Sequence, residues 1–372
     1  MLDIYLLTLA LSIGIGICAT VALQAVSRTE RFVALFHVRG VTERPRWGGV
    51  VILAGFAITP FVASAVSHHA SEFFTPKSGS FLGFLAATAL VFMVGFLDDV
   101  KLTSPMLRSL VFVAAALAAY AAGYRIDDVG LPWNGAVHLG VFGLFATVFW
   151  IYATTNAINW VDGREGVAVG VAVLAAVTMA QIAAHASHPT VALLLVALAG
   201  SGLGFLPFNL PPASSYLGDS GAYVLGFVIG TLSIRAATGP TQEIFIAVPI
   251  VALGYPILDL GLATIRRMLQ HRSPFAGDED HIHHRLELHG AGPRGLLAIT
   301  WALAALFSTG AILLHYFDNL WLEGLVLAAV LCLVALTLLR LGYLVTIWNS
   351  HSVLWLRQRV FAPAAVREQG EE

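Results

Sequence analysis

The stretch Tyr216-Leu217-Gly218-Asp219-Ser220-Gly221-Ala222 opens onto an apolar run that continues to residue 236, and it sets a carboxylate between glycines at the mouth of that run. An ionised side chain in such surroundings is costly unless something uses it. Three further polar clusters stand at the same kind of boundary. Asp98-Asp99 close one apolar segment, Asn156, Asn159 and Asp162 follow another, and His281, His283 and His284 sit in a basic loop. Only 11% of the chain is charged. Four such clusters therefore point to one active site assembled at one membrane face.

The surroundings of that stretch set the fold class. A mean hydropathy of +0.81 and 58% hydrophobic residues exceed what a soluble globular domain uses, so most of the 372 residues face lipid or one another within a bilayer. Twenty basic residues against 22 acidic ones leave a formal charge of −2, which gives no sign of a nucleic-acid partner. Cys18 and Cys332 lie inside apolar segments and read as small hydrophobes. Residues 2–26 have no basic stretch before them and are long enough to span, so they read as a retained helix and not a cleaved leader.

Apolar stretches fall near 2–26, 47–66, 81–97, 106–124, 135–155, 166–185, 190–207, 221–236, 243–265, 295–315 and 321–345. They predict an all-α, polytopic integral membrane protein of about eleven transmembrane helices. Seventeen of the twenty lysines and arginines fall in odd-numbered connections or at the C-terminal end; only Lys77, Arg125 and Arg235 do not. Positive charge favours the cytoplasm, which predicts a periplasmic N-terminus and a cytoplasmic C-terminus. The same assignment puts all four polar clusters on the cytoplasmic side. Residues 1–360 read as one transmembrane catalytic domain with site loops near 98–105, 156–165, 207–220 and 266–294, and 361–372 as a short cytoplasmic tail.

Each cluster has a chemistry and a plainer alternative. Asp98 and Asp99 are adjacent carboxylates that need a cation or a raised pKa, and magnesium takes such hard oxygen ligands together with phosphate and water. They also read as a solvated helix end with Lys101 nearby. Asn156, Asn159 and Asp162 recur every three residues and project to one side of a helix, where amides can meet a nucleobase, ribose or phosphate. Water or backbone at a helix end would satisfy them equally, and Trp160 reads also as an interfacial anchor. Gly218-Asp219-Ser220-Gly221 permits close backbone approach, offers amides to a phosphate and supplies a metal carboxylate, although such residues also make ordinary turns. His281, His283 and His284, with Arg272, Asp278 and Asp280, fit a zinc site or a pyrophosphate-binding loop. With no cysteine and no His-Glu-x-x-His pattern nearby, anion recognition is the favoured reading.

Together the four clusters resemble, in order and spacing, the polyprenyl-phosphate N-acetylhexosamine-1-phosphate transferase superfamily, glycosyltransferase family 4. The resemblance covers residues 39 to 290, from the basic Arg44-Pro45-Arg46-Trp47-Gly48-Gly49 onward. The form of Pro274-Phe275 through His281-Ile282-His283-His284 looks like the undecaprenyl-phosphate GlcNAc-1-phosphate transferase branch. One departure stands out: where the family usually writes Asp-Gly-Leu-Asp-Gly-Leu, this chain has Asp162-Gly163-Arg164-Glu165-Gly166-Val167.

The resemblance implies transfer of a sugar-1-phosphate from a UDP-N-acetylhexosamine to undecaprenyl phosphate in the bacterial inner membrane, releasing UMP and initiating a cell-envelope glycan such as O-antigen. It implies a Mg2+ cofactor, with Mn2+ an admissible substitute. Asp219, Asp99 and Asn159 are the expected metal ligands. Asp98 is expected to take a proton from the lipid phosphate or orient it, with Asp99 and Asp162 beside it in the catalytic group. Asn156, Asn159, Arg272, His281, His283 and His284 are expected to bind donor. A homodimer is left open. A polytopic transporter is the main alternative, but transporters usually hold their polar sites near the midplane with internal repeat symmetry. A membrane metallohydrolase would rest on the histidine loop alone.

Overall fold

The computed structural model describes residues 2–27, 46–67, 79–130, 135–239, 243–271, 280–317 and 319–343. Among them thirteen helices run in order: α1 (Leu2–Ser27), α2 (Gly48–Val66), α3 (Gly79–Val100), α4 (Pro105–Ala121), α5 (Val141–Val161), α6 (Val167–His185), α7 (Pro189–Asn209), α8 (Gly218–Ala236), α9 (Ala247–Ala252), α10 (Gly254–Leu269), α11 (Ile282–Leu288), α12 (Pro293–Tyr316) and α13 (Leu320–Arg340). Eight are long and apolar enough to cross a membrane: α1, α2, α3, α5, α6, α7, α12 and α13. The chain is a multi-pass, helical membrane protein.

Helices fall on all eleven expected stretches, with three differences of kind. α4 is only 17 residues long, started by Pro105 at its first turn and by Ser104, whose hydroxyl accepts the Leu107 N–H. α8 carries Asp219 and Arg235 at its two ends. The ninth stretch, 243–265, is broken: it begins in a strand, continues as α9, and resumes as α10 after Leu253. Periodicity alone does not reveal that break, because both pieces are apolar.

The all-α expectation holds for the bundle, with one small addition outside it. Strands β1 (Asp128–Gly130), β2 (Ala136–His138) and β3 (Glu243–Ile244) form a small sheet of order β2-β1-β3. β2 pairs antiparallel to β1 (Val129 opposite Val137) and β3 parallel to it (Val129 opposite Ile244). The expected helix over 135–155 accordingly begins later, at Val141, and extends to Val161, which brings Asn156 and Asn159 inside its last turns.

α8 is the centre of the bundle. Of its 19 residues, all but Asp219 and Arg235 are buried, and it packs against α2, α3, α5 and α6. Its approach to α5 depends on small residues: a Cβ on Gly226 would lie 2.6 Å from the Thr154 carbonyl oxygen and 2.7 Å from the Thr155 Cα. Trp150 of α5 secures the crossing by donating to the Gly230 carbonyl at 3.0 Å. By contrast, Thr337 alone is buried on α13. The sheet adjoins the start of α5, where Thr147 accepts the Ile126 N–H, and the end of α8, where Thr238 bridges to Ile244. At about 1.5 Å per residue, the 21 residues of α5 separate that end from Val161 by roughly 30 Å. The polar clusters gather at the Val161 end.

Candidate active site

Asp99, at the end of α3, reaches across to the start of α8. Its carboxylate accepts the Asp219 N–H at 2.8 Å, the Ser220 N–H at 3.0 Å and the Ser220 hydroxyl at 2.6 Å. A helix start leaves its first amides without partners and carries partial positive charge, so a carboxylate supplied from another helix satisfies both needs. The approach requires glycine at 218: its φ is +75°, and an added Cβ would stand 2.7 Å from both Asp99 oxygens.

Asp98 turns the other way. One oxygen accepts the Thr103 N–H at 2.6 Å and the Thr103 hydroxyl at 2.8 Å; the other meets Arg108 Nη1 at 2.6 Å. Arg108 also reaches the Tyr223 hydroxyl at 3.4 Å. The adjacent carboxylates are therefore held by separate sets of donors, and Asp98 meets its cation in Arg108. Successive side chains on a helix point about 100° apart, so each aspartate finds its own donors, and Arg108, not Lys101, is the cation. The expected metal ligand Asp99 has both oxygens already engaged by α8.

At the end of α5, Asn159 donates its amide to Asp219 Oδ1 at 2.7 Å, joining the second cluster to the third. Asn156 instead donates back to the Tyr152 carbonyl at 2.8 Å. Asp162 follows the last turn, half-buried, and no described residue donates a side-chain hydrogen bond to it. Its pKa is raised well above the ordinary carboxylate value, first by desolvation and then by the charges of Asp219 and Asp99, with Arg46 opposing. Asp162 and Asp219 line a cleft of about 700 Å3 with Arg46, Gly163, Arg164 and Glu287.

The histidines pack behind the turn that follows α5. His281 Nδ1 lies 2.7 Å from Asp259 Oδ2, and its ring stands edge-on to Trp160 with centroids 5.9 Å apart. Arg267 lies 4.2 Å over the same Trp160 ring. His283 stacks parallel to His281 at 5.6 Å and contacts His284 at 4.2 Å. His283 is 1% exposed, and neither ring nitrogen has a hydrogen-bond partner among the described residues. A Cβ on Gly163 would meet its Nε2 at 2.1 Å, so this ring packs directly on the turn that carries Asp162. Burial, with neighbouring His284, pushes the His283 pKa down to about 3, and His284 is lowered as well, chiefly by desolvation. Arg272 lies outside the described residues.

Three partnerships were not legible in the motifs. Asp259 stands inside an apolar stretch of a charge-poor chain, and the argument that singled out Asp219 applies to it equally. Arg164 forms a forked pair with Glu287, and Glu165 accepts the Ala213 N–H at 2.9 Å. The residues that depart from the family's usual pattern thus brace the cleft wall.

The donors facing the cleft suit magnesium. Asp162 and Asp219 offer hard carboxylate oxygens, and magnesium is typically held by one or two carboxylates with the remaining positions left to phosphate and water. No group of three or more metal-ligating His, Cys, Asp or Glu side chains is preassembled among the described residues.

Residues 81–237 match the glycosyl transferase family 4. A Bacillus subtilis protein named probable undecaprenyl-phosphate N-acetylglucosaminyl 1-phosphate transferase is 31% identical over 280 residues, 75% of each chain. A Mycobacterium tuberculosis decaprenyl-phosphate N-acetylglucosaminephosphotransferase is 27% identical, over 81% of this chain and 80% of its own. The Escherichia coli K12 undecaprenyl-phosphate alpha-N-acetylglucosaminyl 1-phosphate transferase is 25% identical over 73% of each.

Proposed function

The chain belongs to glycosyl transferase family 4, and from that premise we propose that it moves an N-acetylhexosamine-1-phosphate from a UDP-sugar to undecaprenyl phosphate, releasing UMP. The observation that carries this reading is the convergence of Asp99, Asn159, Asp162, Asp219 and His283 on one end of the bundle, about one cleft. Phosphoryl transfer between two anions asks little covalent chemistry of a protein; it asks for charge neutralisation and alignment.

The roles follow from what each side chain is free to do. Asp162 and Asp219 are the groups that would hold Mg2+, which when bound would neutralise the phosphoryl oxygens. Asn159 orients Asp219 through its amide. Asp99 fixes the start of α8 and so sets where Asp219 stands, acting as a positioning residue. Asp98, ion-paired with Arg108, is an acceptor already in use; we assign it the alignment of Arg108 toward the lipid phosphate. That phosphate is ionised near neutral pH, so attack needs no strong base. His283 is neutral and has no hydrogen-bond partner among the described residues, and its N–H is assigned to a phosphoryl oxygen of the donor.

The arginine and lysine asymmetry supports a cytoplasmic site in the bacterial inner membrane with the N-terminus outside, and about eleven crossings. UDP-GlcNAc is the donor to try first, since the relatives' names specify N-acetylglucosamine. The test is a mass-spectrometric screen of UDP-sugars with undecaprenyl phosphate and purified protein. The expected result is a lipid-linked pyrophosphoryl sugar together with UMP, and its arrest by EDTA. Turnover in rigorously metal-free buffer would refute the metal assignment. No lipid-linked product from any UDP-N-acetylhexosamine would refute the reaction.

A further inference from the structure

Arg164 and Glu287 both line the cleft, and the proposed reaction leaves both without a role. They come from different elements: Arg164 stands in the turn between α5 and α6, and Glu287 on α11. Nε and Nη2 of the guanidinium each donate to one Glu287 oxygen, and Nη1 donates to the Gly163 carbonyl at 2.9 Å. The hydrogen bonds from Arg164 hold the Glu287 carboxyl below its ordinary pKa, so the carboxylate stays ionised and the pair is neutral as a unit. A guanidinium carries five N–H donors and an ionised carboxylate about four acceptor sites. The bonds among the described residues leave two of those N–H groups and about two acceptor sites side by side. With 43% of the arginine side chain and 35% of the glutamate side chain exposed, this mixed edge is open to a ligand in the cleft.

Two attachments place that edge beside the donor's sugar. Arg164 lies two residues after Asp162, a proposed metal carboxylate, and Glu287 lies one helical turn after His283, whose N–H is assigned to the donor phosphate. In a UDP-sugar the transferred phosphoryl group is the one that bears the sugar, so groups adjoining both phosphate-handling residues adjoin the sugar ring. A neutral pair adds little to the binding of a diphosphate, which calls for net positive charge. Neighbouring donors and acceptors instead fit hydroxyl groups, each of which donates one hydrogen bond and accepts others. The arginine is also where this chain departs from the family's usual leucine, a side chain that could make neither the pair nor the contact. Building on the transferase reading for the ligand, we propose that Arg164 and Glu287 form a specificity-determining contact with the hydroxyl groups of the donor's hexosamine ring. A pair that only clamps α11 to the turn is the competing explanation. Loosening such a clamp would displace Asp162 and His283 as well, so the two roles separate experimentally.

Arg164→Leu installs the family's usual residue and removes the pair. With the full-length protein, undecaprenyl phosphate and UDP-GlcNAc, the KM for the nucleotide-sugar should rise about tenfold, the effect of losing one or two hydrogen bonds to hydroxyls. kcat should stay within about threefold, since a contact made equally in the ground and transition states acts on KM. The inhibition constant of UDP, which keeps the base, the ribose and both phosphates but lacks the sugar, should stay within about twofold of wild type. Glu287→Gln should show the same pattern, and joining it to Arg164→Leu should cost little more. Across UDP-N-acetylhexosamines that differ at their ring hydroxyls, the spread of kcat/KM should narrow in both variants. An unchanged spread, or a UDP inhibition constant that rises as much as the KM, would overturn the proposal in favour of the clamp. If Arg164→Leu does not fold, Glu287→Gln carries the same comparison. A wild-type protein that makes no product sinks the transferase reading instead; calorimetric titration of UDP-GlcNAc and of UDP onto wild type and Arg164→Leu then decides the sugar contact, with equal losses for the two ligands, or no loss for either, overturning it.

Discussion

The entry to α8 and the end of α5 are both crowded with polar side chains, yet they treat them in opposite ways. At the α8 entry every carboxylate oxygen of Asp98 and Asp99 is taken, by Thr103, Arg108 or the amides and hydroxyl of residues 219 and 220. At the α5 end, neither the Asp162 carboxylate nor the two buried ring nitrogens of His283 have a hydrogen-bond partner among the described residues. A buried polar group left unpaired costs roughly 1–3 kcal/mol. A fold that tolerates that cost in one place while satisfying its neighbours fully is separating residues that build the site from residues that await a ligand.

The sharpest break in this contrast comes from the ligand-facing pair. Asp219→Asn and Asp162→Asn should each lower kcat by about a thousandfold or more while leaving thermal stability close to wild type; turnover near the wild-type rate in either variant would return it to the building class. Asp99→Ala should do the reverse. It strips three bonds from a buried helix start, so the midpoint of thermal unfolding in detergent should fall by an amount equivalent to about 1–3 kcal/mol, with activity lost through misplacement of Asp219. Next, His283→Ala should raise KM for the UDP-sugar about tenfold with a smaller change in kcat; unchanged nucleotide affinity would remove the phosphoryl contact.

A subtler effect concerns acid stability. The folded state holds His283 neutral down to about pH 3, whereas the unfolded chain protonates it near the ordinary value of about 6.5. The unfolded state therefore binds the extra proton between those limits, so stability is lost as pH falls below about 6.5. His283→Gln should flatten that decline, which a series of unfolding curves between pH 7 and 5 would measure. The smallest effect belongs to the exposed Arg164 and Glu287 pair: Glu287→Gln should change stability by less than about 1 kcal/mol, and a larger loss would place that pair among the builders.

Much of this was legible in the chain. Apolar runs of membrane-spanning length mark the helices because lipid leaves backbone amides no partner outside a helix. The four clusters were found because charge is rare here and its position therefore informative. The break before α10 and the small sheet were hidden, since a short apolar strand and a piece of buried helix read alike. Asp98 and Asp99 were legible as a pair that needs a cation or a raised pKa, but only the direction of each side chain on α3 shows which donors each one meets. Asp259 was missed because no motif surrounds it.

What the amino-acid order decided unaided is the class of molecule, the end of the bundle where its chemistry gathers and the kind of groups that perform it, because hydropathy and charge scarcity act locally along the chain. What waited for the tertiary structure is the division of labour among those groups. Whether a carboxylate caps a helix, holds an arginine, meets an imidazole or stays open to a cation depends on which donors other helices bring within about 3 Å of it, and those donors lie from five to more than a hundred residues away.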